Sequence, residues 1–234
     1  MQIDKRITLD ASRACRNHRP NTNKILLTTL FLLVASLGSP LPASPEGAPH
    51  WGYTGEIGPE NWHQLSPDFG LCKTGQTQTP INIAGASAAD LPPLALDYQQ
   101  QKLQILNNGH TIQVNSTSEQ YARLQDREFK LLQFHFHTPS ENLVDGSPYP
   151  AEIHFVHKDA QGSLAVIALF VSEGKENPLI KKIWQHLPAK EGPAADQALE
   201  FNPRDLLPQR SAYYYFQGSL TTPPCSEGVH WQVL

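Results

Sequence analysis

The chain has 234 residues and a formal net charge of −4, with charged side chains only 17% of the total. That length supports one sizeable core and favours a single domain, two at most. No basic stripe of the kind that holds nucleic acid is present, and 20 prolines suit a loop-rich, strand-rich protein better than a helical bundle.

In chain order, Lys5, Arg6, Arg13, Arg16, Arg19 and Lys24 precede a short apolar run from Ile25 to Leu37. The run falls short of the ~20 residues that span a bilayer. A basic region, a short apolar run and small residues read as a secretory signal. Residues 1–37 are therefore predicted as a signal peptide, with Val34-Ala35-Ser36 or a later site for cleavage and an uncleaved anchor as the alternative. An exported protein follows, periplasmic or secreted, with no other membrane contact. Cys15 lies upstream of the apolar run and so is no lipoprotein cysteine. Residues 38–49 read as a Pro/Gly-rich linker, and residues 50–234 as the folded domain.

Export gives the two remaining cysteines a meaning. Cys72 and Cys225 are an even pair, either bonded or two buried thiols, and an oxidising compartment favours the bond. The closed loop would be worth roughly 5 kcal/mol in the chain-entropy account. The domain begins with an aromatic-rich segment, Trp51-Gly52-Tyr53 and Asn61-Trp62, whose tryptophans are expected to cover core. Thr79-Pro80 precedes a short strand and is a candidate for a cis bond.

Short strands are then predicted at Leu103–Leu106, Thr111–Val114, Tyr121–Leu124, Lys130–His137, Ala151–His157 and Leu164–Val171, punctuated by Asn107-Asn108-Gly109 and Asp145-Gly146. Residues 164–171, LAVIALFV, are apolar throughout and belong in the middle of a sheet. Asn177-Pro178 opens a helix with Leu179, Ile180, Ile183, Trp184 and Leu187 on one face, stopped by Pro188. A turn of helix follows Asn202-Pro203. Strands at Tyr213–Phe216 and Val229–Leu234 flank the loop Gly218 to Cys225. The predicted class is mainly β (α+β): a large, twisted, mostly antiparallel central sheet with short peripheral helices.

The chemistry is concentrated in Leu131 to His157. Side chains alternate faces along a strand, so Gln133, His135 and His137 point one way. Glu152, His154 and Val156 share one face of the later strand, and Ile153, Phe155 and His157 the other. Antiparallel pairing through the turn at Asp145-Gly146 would bring His135, His137 and His154 together as a three-imidazole metal site. Gln133 and Glu152, each two residues before a ligand, would fix the tautomers of His135 and His154. His157 is expected to be a hydrogen-bonded structural residue. His135-x-His137-x-x-x-Glu141 also fits the first metal motif of the cupin barrels, with Glu141 as a ligand. Their second motif needs a Pro-x-Gly-x-x-His turn, and Pro150 to His154 has no glycine.

Trp51-Gly52-Tyr53, Gln78-Thr79-Pro80-Ile81-Asn82-Ile83, Asn107 to Val114, Gln133 to Asn142, Ala151 to His157 and Gly218 to Trp231 together resemble the α-class carbonic anhydrases, most closely the exported bacterial members. The resemblance runs from about residue 50 to the last residue, and against the family pattern the chain reads as C-terminally truncated. It implies one zinc ion on His135, His137 and His154, an arrangement for which this family is itself the standard case. It also implies reversible hydration of carbon dioxide to bicarbonate by zinc-bound hydroxide. Thr221 would pass a hydrogen bond to Glu141, an orienting residue here and no ligand. Thr222 would contact bicarbonate, and Val156, Val166, Leu220 and Trp231 would form the apolar wall for carbon dioxide. His110 matches the proton-shuttle position. The only partner implied is the small-molecule substrate. A non-catalytic binding relative on the same scaffold is the alternative reading.

Overall fold

A computed structural model describes residues 49–194, 199–209 and 212–234. The predicted signal segment, with Cys15, and the linker up to residue 48 lie outside the described residues. Among the described residues no helix is long and apolar enough to cross a membrane.

The scaffold is a ten-stranded sheet. Its strands are β1 (Ala95–Asp97), β2 (Ile105–Asn107), β3 (Ile112–Asn115), β4 (Tyr121–Leu124), β5 (Arg127–His137), β6 (Ala151–Lys158), β7 (Leu164–Val171), β8 (Gly192–Pro193), β9 (Tyr214–Ser219) and β10 (Glu227–Val233). The spatial order is β8-β2-β3-β5-β6-β7-β10-β9, with β4 pairing the first part of β5 and β1 pairing β4. Pairing is antiparallel except between β7 and β10. β7 lies between β6 and β10, and its Ala165 to Ala168 are buried, as its apolar sequence requires.

The long central pair β5–β6 sets the geometry. Gln133 faces Val156, His135 faces His154, and His137 faces Glu152, with a bulge only after Val156. The alternation expected from sequence therefore holds where it matters. Phe134, Ile153 and Phe155 are fully buried and join Leu131, Leu103, Ile105 and Ile183 in the larger of two cores. The opposite face carries the histidines and a smaller core of Ile83, Val166, Ala168, Val229, Trp231 and Val233.

Three details differ from the sequence reading. The expected strand Leu103–Leu106 is two pieces, because the chain changes partner there: Gln101–Lys102 pairs Glu200–Phe201, and Ile105–Asn107 pairs β3. Asp145-Gly146 does not join β5 to β6 directly. It closes a small hairpin, Leu143–Val144 with Ser147–Pro148, inserted between them and paired in parallel with Asn82–Ile83. The helix Pro178–Gln185 is capped by Asn177, whose Oδ1 accepts from the amides of Leu179 (2.9 Å) and Ile180 (3.1 Å). It ends at His186, so Leu187 lies beyond it and is exposed rather than on the packed stripe. Asn202 caps the short 3-10 turn Pro203–Leu206 in the same way. Thr79-Pro80 is cis, as are Thr138-Pro139 and Pro223-Pro224.

Candidate metal centre

The three histidines meet because two strands with a shared register each aim imidazoles at the same face. One ring nitrogen from each of His135, His137 and His154 lies within 4.8 Å of the others, the only such His/Cys/Asp/Glu group among the described residues. Outer partners decide which nitrogen is free. His135 Nδ1 is 2.9 Å from Gln133 Oε1, an amide oxygen that can only accept, so Nδ1 carries the proton and Nε2 is left as a ligand. His154 Nε2 lies 3.2 Å from Glu152 Oε1, off the ideal line for a hydrogen bond, which directs Nδ1 to the site. His137 Nδ1 is 3.4 Å from Glu141 Oε1, while its Nε2 is buried without a hydrogen-bond partner.

A metal ligand must be a neutral imidazole. Burial first, and then the neighbouring His154, push His135 down to about 3. The same two causes, with His135 added, hold His137 well below the ordinary histidine range. Three imidazole nitrogens, one of them buried and unsatisfied, fit a borderline-soft divalent ion such as zinc.

Glu152 is fully buried and its carboxylate is fully used. Oε2 accepts from the amides of Glu141 (2.9 Å) and Asn142 (3.0 Å), and Oε1 from Asn142 Nδ2 (2.8 Å). Burial raises its pKa, but the His154 ring beside it and the bonds from Asn142 outweigh that and leave the carboxyl below its usual range. Asn142, fully buried, is held in turn by the Ile81 amide on its Oδ1 at 3.0 Å. The sequence reading missed Asn142 as a site residue. The signal available in the sequence is an amide three residues after His137-Thr138-Pro139.

The second half of the site comes from the far end of the chain. Cys225 is bonded to Cys72, with Cα atoms 5.0 Å apart across a sequence separation of 153. That bond ties the loop after β9 to the short helix Leu71–Thr74. Gln78 Nε2 donates to Cys225 O (3.1 Å), Thr79 and Ser219 exchange two bonds of 2.9 Å, and Trp231 Nε1 donates to Ser219 O (3.1 Å). Glycine is required at 218, because a Cβ there would sit 2.0 Å from Thr79 Oγ1.

The braced loop presents Thr221, whose side chain stands beside Glu141 and lowers the pKa of its carboxyl. Burial raises the Glu141 pKa, and His154 and that side chain pull it back only in part. Tyr53 stands near Glu141 and is pushed up to about 12, by burial first and by that carboxylate second. Sequence reasoning placed Tyr53 only in a motif.

Of the four residues expected to form an apolar wall, Val166 and Trp231 are buried in the smaller core, and Val156 and Leu220 pack against it. The Trp231 ring meets His154 edge-on at 5.0 Å. Thr222 sits in the same loop, its carbonyl accepting from the Cys225 amide at 2.9 Å. His157 is buried on the opposite side, paired with the Tyr98 hydroxyl, and burial pushes it down to about 4. His110 follows a turn whose Asn108 Oδ1 accepts from the amides of His110 (3.0 Å) and Thr111 (2.9 Å). Thr111 Oγ1 donates to Phe136 O at 2.6 Å, anchoring that turn to the strand that carries His135 and His137. Trp51, expected to cover core, instead stacks on the His110 ring, with centroids 3.7 Å apart and planes 6° from parallel.

Comparison with known proteins gives a consistent answer. The family description "Eukaryotic-type carbonic anhydrase" matches residues 57–234. A carbonic anhydrase of Pectobacterium atrosepticum is 48% identical over 87% of this chain and 84% of its own length. One from Pectobacterium carotovorum is 50% identical over 82% of this chain and 79% of its own. The solved structure of an α-carbonic anhydrase from Thermovibrio ammonificans, in complex with the inhibitor sulfanilamide, superimposes with a TM-score of 0.78 at 45% identity, covering 80% of this chain and 84% of that one. With sequence motifs, sheet architecture and site geometry in agreement, the chain belongs to the α-class, eukaryotic-type carbonic anhydrase family.

Proposed function

We propose that the protein holds one zinc ion on His135 Nε2, His137 Nε2 and His154 Nδ1 and catalyses the reversible hydration of carbon dioxide to bicarbonate and a proton. The observation that carries this is the three-imidazole cluster with Thr221, from the other end of the chain, placed beside Glu141. Zinc, when bound, supplies a Lewis acid that lowers the pKa of a water to roughly 7, a value for which carbonic anhydrases are themselves the reference case.

The remaining work falls to this chain's side chains. An ionised Glu141 can only accept, so the Thr221 hydroxyl donates to it and turns its own lone pairs to the attacking oxygen, whose proton it accepts. One lone pair of that oxygen is thereby aimed at the carbon. Val156, Val166, Leu220 and Trp231 exclude water around an apolar substrate. Thr222 contacts the product. His110, an imidazole at the edge of the site, carries the released proton outward. The cupin-type reading is set aside, because the sheet is that of the carbonic anhydrases and Glu141 is engaged by Thr221. We place the protein outside the cytoplasm. The Cys72–Cys225 bond supports this, since disulfides persist in oxidising compartments.

The test is direct. Purified protein is assayed for metal content and for acidification on adding carbon dioxide, with and without a sulfonamide. One zinc per chain with sulfonamide-sensitive hydration is expected. Stoichiometric zinc without hydration would move the chain to the non-catalytic alternative.

A further inference from the structure

A second cluster of titratable side chains lies away from the metal centre and has no part in the proposed mechanism. It forms where the first residue of β5, the turn between β6 and β7, β9 and β10 meet. Arg127 Nη1 is 3.3 Å from His230 Nε2, and the Tyr215 hydroxyl is 3.1 Å from His230 Nδ1. A guanidinium can only donate, so Nε2 must accept. The proton of the neutral ring therefore sits on Nδ1 and is donated to the Tyr215 oxygen. On its other side Arg127 pairs with Asp159 Oδ2 and donates to Ser163 Oγ at 2.9 Å. Asp159 Oδ1 in turn accepts from the amides of Gln161 (3.0 Å) and Ser163 (2.8 Å). The guanidinium also lies over the Phe129 ring, 5.1 Å from its centroid. One half-buried imidazole thus ties the start of β5 to β9 and β10.

That tie works only with a neutral ring. A proton on Nε2 removes the lone pair that accepts from Arg127 and sets a second cation against the guanidinium. The groups that face His230 are Arg127 from β5, Asp159 from the β6–β7 turn and the Tyr215 hydroxyl from β9. Its register partners, Ala165 on β7 and Gln217 on β9, carry no charge. We propose that His230 is an acid-sensitive latch, holding Arg127 and the start of β5 while neutral and releasing them when protonated. Burial lowers its pKa, Arg127 lowers it further, and Asp159 opposes them. The fold therefore binds this proton less readily than the unfolded chain does. The stability the latch adds is fully present above about pH 6.5 and is lost as the pH falls from there through the lowered folded value. His230 and Trp231 point to opposite faces of β10, so release loosens one end of the sheet and spares the face that carries the metal ligands.

The test follows amide hydrogen exchange in the zinc-loaded protein, corrected for its intrinsic pH dependence, from neutral pH down to the lowest pH at which the fold persists. The His230 titration is read by NMR over the same range. Protection of the Arg127 to Phe129 amides, which lie in the segment paired with β4, should fall severalfold as His230 takes up its proton. Amides beside His154 should not change with it. In His230→Gln the amide oxygen can accept from Arg127 and the NH2 group can donate to Tyr215, but no proton is taken up, so protection should stay flat. His157→Gln, which alters the other buried histidine, should leave the parental loss in place. In Arg127→Gln the His230 titration should move upward, because a neighbouring cation is gone. The same loss of protection in His230→Gln and the parent overturns the latch. So does a His230 that titrates without that loss, or that takes up no proton while the chain is folded. Should His230→Gln fail to fold, an unmoved His230 titration in Arg127→Gln overturns the coupling by itself.

Discussion

Replacing Glu152 with glutamine removes one oxygen's worth of acceptor and nothing else in size, and the structure dictates what must follow. In the parent, Oε2 takes two backbone amides, while Oε1 takes Asn142 Nδ2 and faces His154 Nε2. A glutamine has a single acceptor oxygen, which two amide donors hold in the Oε2 place. Its NH2 group then faces two donors. Asn142 cannot turn its oxygen inward, because the Ile81 amide occupies Oδ1. The only relief is for His154 to move its proton from Nε2 to Nδ1, the nitrogen needed for the metal. Loss of such an outer partner weakens metal binding by roughly 10- to 100-fold, or about 1.4–2.8 kcal/mol. The donor left facing Asn142 costs a further ~1–3 kcal/mol of fold stability. Chelator competition measures the zinc affinity, urea unfolding the stability, and nitrogen-resolved NMR of the metal-free protein the tautomer of His154. A folded Glu152→Gln protein with parental zinc affinity and an Nε2–H His154 would refute the reasoning.

Three further outcomes are expected. Thr221→Val should keep its zinc but lose on the order of 10- to 100-fold in kcat/KM, because a hydrogen bond to a charged group is worth about 1.5–3 kcal/mol. Thr221→Ser should recover most of that loss, and equal kcat/KM in Thr221→Val and the parent would remove the orienting role. Reducing the Cys72–Cys225 bond opens a loop of sequence separation 153, which at about 5 kcal/mol and ~2–4 °C per kcal/mol lowers Tm by roughly 10–20 °C; a shift of a degree or two would sink the estimate. His157, held neutral down to about 4 by burial, binds no proton in the fold where the unfolded chain does. Its contribution to stability is therefore constant above about pH 6.5 and is lost as the pH drops from there to about 4, by ~3 kcal/mol. Metal-site histidines held neutral by burial act in the same direction, so His157→Gln should make that part of the urea-unfolding pH profile shallower by about that amount, and an unchanged slope would show that the loss arises elsewhere.

Much of the fold was legible because its signals are local. Period-two alternation put Phe134, Ile153 and Phe155 on one face and the histidines on the other, and those assignments hold residue for residue. Asn177-Pro178 and Asn202-Pro203 announced their own caps. Strand limits were less legible wherever pairing partners change. The break at Leu103-Gln104 and the hairpin inserted between β5 and β6 depend on segments far away in sequence, Glu200–Phe201 and Asn82–Ile83.

By itself, then, the sequence determined which histidines share a face, which carboxylate and amide stand behind them, and which family pattern they follow, because strand periodicity is a property of neighbouring residues. Only the tertiary structure decided how the site is completed. Thr221 reaches Glu141 through a loop fixed by Cys72, Gln78 and Thr79, and Asn142 locks the orientation of Glu152. His110 acquires Trp51 and His50 as neighbours from the start of the domain. Those contacts join residues with no periodic relation to one another, so they exist only once the sheet has brought its distant segments together.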